Sequence, residues 1–164
     1  MRDRDGDNGA ERAQEEAEPG EAVELGILAG HLGFHLRLAN DRTFETFADL
    51  LGADRLRPGC FTMLILIANN PGITQTGISR ACGRDKSSVA KALRYMEDEG
   101  LIRRERVEDD RRSSASFVTP AGAQRVERLQ EKARIQSARI SAALGEARVQ
   151  ELLATLKALI DRLS

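Results

Sequence analysis

Residues 83–122 read GRDKSSVAKALRYMEDEGLIRRERVEDDRRSSASFVTPAG, and the fold turns on how this stretch is divided. Taking about 100° per residue with Val89 at zero, Leu93 and Met96 fall within about 40° of it, while Ser87, Ala90, Lys91 and Arg94 lie at about 100° to 200°. One face is therefore apolar and the other carries small, hydroxyl and cationic side chains. Asp85 is placed to cap the helix, accepting from the amide of Ser87 or Ser88, which presents Lys86, Ser87 and Ser88 on the first turn. After Gly100 the pattern becomes extended: Leu101 to Val107, a polar turn expected at Glu108 to Ser113, and a return strand from Ser114 to Thr119.

Upstream, Thr74 to Ala81 reads as a short helix with Ile78 and Ala81 inward, ended by a tight turn at Cys82-Gly83. A short helix, a tight turn, a second helix and a charged hairpin make a helix-turn-helix followed by a wing. Small and hydroxyl side chains can approach the floor of the major groove, and Lys and Arg reach guanine edges or phosphates. Arginine at the hairpin tip, Arg111 or Arg112, can enter the adjacent minor groove. The opposing reading is a solvated surface helix, since charges opposite an apolar stripe are common on any exposed helix.

The rest of the chain is read as helical. From Val23 to Leu51, apolar residues recur at steps of three and four, suggesting a long amphipathic helix broken around Asn40 to Thr43. A helix follows Pro58 with Phe61, Leu64, Ile65 and Ala68 on one stripe, and Asn70-Pro71-Gly72 closes it. Pro120 opens another to about Leu144, and Gly145 separates it from a last helix. There Val149, Leu152, Leu153, Leu156, Leu159, Ile160 and Leu163 form one apolar stripe that needs a partner. Residues 1–24 hold nine acids against three bases, so with a net charge of −1 for the whole chain the other 140 residues carry +5. Residues 1–22 are expected to be a disordered acidic tail, either a solubilising extension or a competitor for basic residues, and the folded part is basic.

The stretch LIRRERVEDDRRSSASFVTPAG resembles the wing of the MarR family of winged-helix regulators, which carries Asp-x-Arg at the hairpin tip and, seven residues after that Arg, Thr-Pro-x-Gly opening the next helix. Here these are Asp110, Arg112, Thr119, Pro120 and Gly122. Residues 56–101 are similar to the family's central helices, and the resemblance covers roughly residues 25 to 163. The fold class it implies is mainly α with a small β-hairpin: a winged helix-turn-helix at 57–120 flanked by dimerisation helices at 23–51 and 121–164, together one domain at 23–164. It also implies an obligate dimer, Arg112 in the minor groove, and Asp110 orienting the wing. A carboxylate two residues from an arginine on a tight hairpin can hold that guanidinium through a charge-assisted hydrogen bond.

A dimer is expected on separate grounds, since one recognition helix reads few base pairs and the C-terminal stripe lacks partner surface. Two such helices about 34 Å apart would read half-sites one turn apart on a palindromic double-stranded DNA operator. Lys86, Lys91, Arg94 and Arg112 would displace counterions there. Family members commonly hold a small effector between the dimerisation helices and the winged domain. His31, Phe34, His35, Arg37, Arg42, Phe44 and Phe47, with Phe61 and Met63 across from them, suit an aromatic ring carrying an anionic or thioester-linked group. GFHLRLA, GITQT and GRDKS resemble the branch responding to aromatic acyl-CoA thioesters such as a hydroxycinnamoyl-CoA, in aromatic catabolism.

The expected function is thus a ligand-released, homodimeric repressor. The alternatives are a helical dimerisation or protein-interaction module without DNA binding, and a redox-sensing regulator of the same family. The sequence has two cysteines, Cys60 and Cys82. Both stand in apolar settings where a raised pKa keeps a thiol inert. His31 and His35 have helical metal-ligand spacing but no third ligand, so no metal and no cofactor are expected. No catalytic constellation, apolar span or leader is recognised, so the expectation is a cytoplasmic protein, not an enzyme, with no membrane partner.

Overall fold

Three short polar side chains set where helices begin. Thr74 Oγ1 accepts from the Gly77 amide at 3.2 Å, Asp85 Oδ1 from the Ser88 amide at 2.8 Å, and Thr119 Oγ1 from the Gly122 amide at 3.0 Å. Each satisfies a donor that the first turn leaves without an intrahelical partner, an effect typically worth about 1 kcal/mol for a threonine cap. The computed structural model describes residues 23–107 and 110–163, without the side chains at 107 and 110–113. The acidic segment 1–22 lies outside the described residues. The described chain divides between Arg37 and Leu38 into two compact units.

In the first unit, a 3-10 turn at Gly26–Gly30 precedes helix α1, Leu32–Leu51, which continues into the second unit. The expected break at Asn40 to Thr43 is absent, and the interruption falls instead at Gly30-His31. Through the polar stretch the hydroxyls fold back onto helix carbonyls, Thr43 Oγ1 donating to the Asn40 carbonyl at 2.8 Å and Thr46 Oγ1 to the Arg42 carbonyl at 3.1 Å, so they find partners without interrupting the helix.

The second unit adds α2 (Cys60–Asn69), β1 (Ile73–Thr74), α3 (Gln75–Cys82), α4 (Lys86–Asp98), β2 (Ile102–Val107), β3 (Asp110–Val118), α5 (Pro120–Leu144) and α6 (Glu146–Leu163). The mainly helical winged helix-turn-helix architecture is as expected. The hairpin is part of a three-stranded antiparallel sheet in the order β1-β3-β2, with Ile73 opposite Ser116 and Arg104 opposite Ser116 on the other side. The turn is tighter than Glu108 to Ser113: Val107 already pairs with Asp110, so the backbone of 110–113 belongs to β3. Polarity marks those residues as turn, but strand pairing resumes at Asp110, and the register jumps from Ser114 to Asp110 so that 111–113 form an irregular stretch of β3.

The core joins Phe47 and Leu51 of α1 to Cys60, Met63, Leu64 and Ile67 of α2, Ile78 of α3, Val89, Leu93 and Met96 of α4, Leu101, Ile102, and Val126 and Leu129 of α5. Burying a side chain of this kind contributes roughly 1.5–3 kcal/mol. On α2 the buried face is Cys60, Met63, Leu64 and Ile67, whereas Phe61, Ile65 and Ala68 of the expected stripe are only half-buried. Both faces of α2 are apolar, so periodicity did not distinguish the deeper one. On α3 Ala81 is exposed and Cys82 takes the inward place with Ile78, because α3 presents its i,i+4 pair to the core.

The C-terminal turns of α1 are tied to α5. Lys132 Nζ donates to the Leu50 carbonyl at 2.7 Å, Gln136 Nε2 to the Thr43 carbonyl at 2.6 Å, and Arg128 Nε to Asp54 Oδ1 at 3.0 Å. The Leu50 carbonyl, which the end of α1 leaves open, is thereby satisfied by the neighbouring helix. By contrast α6 has no buried residue.

Candidate nucleic-acid interface

The turn between α3 and α4 is closed by side chains that bond to backbone. Gly83 ends α3 with φ +61°, a conformation a side chain disfavours, and Ser79 Oγ donates to the Arg84 carbonyl at 2.5 Å. Gln75 Nε2 donates to the Lys86 carbonyl at 2.9 Å, locking the start of α3 to the start of α4. Val89, Leu93 and Met96 anchor α4 inward, as its angular pattern predicts. On the outer side Lys86, Ser87, Lys91 and Arg94 are exposed, and Ser88 and Ala90 are half-buried.

Asp85 does more than cap. Its Oδ1 also accepts from Ser87 Oγ at 2.6 Å, and these bonds, the Ser87 hydroxyl first and Ser88 next, hold its carboxyl well below the usual aspartate range. The Ser87 proton is therefore committed to Asp85, leaving its oxygen lone pairs as the group able to meet a base edge.

The wing base is held on both sides. Arg104 Nε donates to Glu97 Oε2 at 2.8 Å, and its Nη2 reaches the same oxygen. The Arg103 guanidinium lies 4.6 Å from the Phe117 ring centroid. The side chains of Asp110, Arg111 and Arg112 lie outside the described residues, although their backbone starts β3. Between the wing and the two helices a cavity of about 220 Å³ is lined by Thr74, Gln75, Thr76, Lys86, Leu93, Arg104 and Ser114. Of these the sequence singled out Lys86 alone as a contact, since the rest converge only through the sheet.

The nine expected effector residues are distributed over both units. His31, Phe34, His35 and Arg37 cluster in the first unit: His31 Nδ1 accepts from the Phe34 amide at 3.1 Å and so caps α1, and His35 Nε2 donates to the Ala29 carbonyl at 2.9 Å. The Phe34 and His35 rings meet edge to face at 5.4 Å, and the Arg37 guanidinium lies 5.8 Å from the Phe34 centroid. In the second unit Phe47 and Phe61 stack edge to face at 4.9 Å, and Met63 is 2% exposed. Phe44 is exposed, and Arg42 pairs with Glu45 at 3.0 Å.

Burial pushes the Cys60 thiol up, against the opposing charges of Arg57 and Arg84. Among the described residues no group of three or more His, Cys, Asp or Glu is arranged for a metal, and no helix is long and apolar enough to cross a membrane.

A paired-helix reader with an attached β-wing is a winged helix-turn-helix protein, here with long helices on either side. The chain belongs to the MarR family, and it is a transcriptional regulator of that family: the family's sequence profile matches residues 56–113. It is 37% identical over 135 residues, 82% of this chain and 81% of the relative, to a proposed transcriptional regulatory protein for the hcr operon of Thauera aromatica. Among solved structures it resembles the transcriptional repressor CouR bound to a 23-mer DNA duplex, at 29% identity and a TM-score of 0.79 over 85% of this chain and 99% of that one. CouR bound to p-coumaroyl-CoA matches at 27% identity and a TM-score of 0.77, covering 84% of this chain and 97% of that one.

Proposed function

We propose that the chain is a homodimeric repressor that holds a palindromic operator through α4 and the wing and is released by an aromatic acyl-CoA. The observation that carries the DNA reading is α4 itself: Val89, Leu93 and Met96 are committed to the core, its first turn is fixed by Asp85, and Lys86, Lys91 and Arg94 are left exposed. Asp110, Arg111 and Arg112 complete the contact set at the wing tip, with Ser87, Ser88 and Ala90 nearest the base edges. The direct test is a gel shift with the DNA upstream of the chain's own coding region at low salt. Lys91→Ala with Arg112→Ala should weaken the complex by orders of magnitude while leaving the dimer intact, and no complex from the unsubstituted chain would refute the reading.

The effector reading is supported by the likeness to CouR, whose solved complex contains p-coumaroyl-CoA, and by the aromatic and cationic group at Phe34, His35 and Arg37. A micromolar aromatic acyl-CoA should release the DNA and raise the melting temperature, and the free acid should do both less well. Equal responses to thioester and acid, or none to either, would exclude the CoA form of the effector.

A further inference from the structure

Glu97 stands in the last turn of α4, where the helix dipole disfavours an acid, and α4 has no basic residue there to offset it. Its partner comes from the wing. Arg104, two residues into β2, places both Nε and Nη2 on Glu97 Oε2, and the two side chains are 29% and 36% exposed. Arg104 also lines the cavity between α4 and the wing, beside Lys86 and Ser114. Beyond it the ladder is irregular between Arg106 and Val107, so the tip is joined to the rest of β2 through a register shift.

We infer that Glu97 and Arg104 are positioning residues for DNA recognition: their bridge fixes the angle between the wing and α4, so that both reach their grooves in the same register. This rests on the DNA reading above. Arg104 then acts through Glu97 and not through a phosphate, and the acid is an asset for specific binding although it adds negative charge to a DNA-facing domain.

The two roles predict opposite signs. Glu97→Gln removes a negative charge, so simple counterion electrostatics makes every duplex bind tighter. Positioning instead requires weaker binding to the upstream duplex, by about fivefold for a pair this exposed, with a shuffled duplex of equal length bound as well as before or better. Arg104→Lys, which keeps the charge and loses the fork, should show part of the same loss. Glu97→Arg combined with Arg104→Glu should recover specific over shuffled binding relative to either single reversal. Fluorescence anisotropy with both duplexes, alongside thermal melts of each variant, reads all of this. Glu97→Gln binding the upstream duplex as tightly as the unsubstituted chain, or a double reversal no better than the singles, overturns the inference and leaves the DNA reading standing. Failure of the unsubstituted chain to prefer the upstream duplex overturns both.

Discussion

At Gly122 the α5 helix passes so close to the start of β2 that an added Cβ would lie 1.9 Å from the Leu101 carbonyl oxygen. That neighbour is backbone and held, since the same carbonyl accepts from the Thr119 amide at 3.0 Å. Gly122→Ala should therefore cost about 3 kcal/mol or more, at the upper end for an added methyl, and a urea or thermal melt will measure it. The Thr-Pro-x-Gly pattern was visible in the sequence, but its physical reason was not, because the clash is with a residue twenty-one positions away. Asp85 offers a second test. Its carboxyl is depressed, so its contribution is complete above the ordinary aspartate pKa of about 4 and is lost as pH falls through the lower folded value. The Ser88 amide resonance should hold steady from neutral pH to about pH 4 and shift only below it, and this acid-side step should vanish in Asp85→Asn. Cys60, 1% exposed and with its thiol pushed up, should resist alkylation at neutral pH in the folded chain; rapid labelling there would revive the redox-sensing alternative.

At the scale of elements, α4 was the most legible because a lone amphipathic helix announces both faces by angle. Replacing Lys91 or Arg94 by Ala, both exposed and remote from the core, should leave the melt unchanged. If each meets a phosphate, each replacement should also lower the slope of log affinity against log salt by about one. Titrating anisotropy across salt concentrations checks this. Other elements were legible only in part. The two-residue β1, Ile73–Thr74, carries no pattern of its own and exists because Gly72 donates its amide to the Ser116 carbonyl at 2.9 Å and aligns it on β3. The effector residues were the least legible. Residue type identified Phe47, Phe61 and Met63 without revealing that Phe47 and Met63 lie in the hydrophobic core and Phe61 half-buried against it, and no local signal distinguishes a side chain that lines a cavity from one that fills it.

For the molecule as a whole, α6 presents Leu152, Leu153, Ile160 and Leu163 to the surface, the last 79% exposed, while Val149, Leu156 and Leu159 are half-buried. An apolar stripe of this extent left in water is costly, and the homodimer proposed above would cover it. Leu153→Glu with Ile160→Glu should yield a monomer in sedimentation velocity, with the winged fold intact by circular dichroism, and should lower affinity for a two-half-site duplex far more than for a single half-site. Helix α5 joins these two ends of the problem. It begins at the wing base, under Thr119, and runs 25 residues without interruption to Gly145, a rod of about 37 Å. A rod of that length is a lever: a tilt of about 5° about its C-terminal end, where α6 follows, displaces its wing end by about 3 Å, close to the spacing of successive base pairs. Stiffness in α5 would therefore convert a slight change among distant helices into a full step of misalignment on the duplex, and a pair of adjacent glycines introduced at its exposed middle should blunt the effector's response while leaving unliganded DNA binding largely in place.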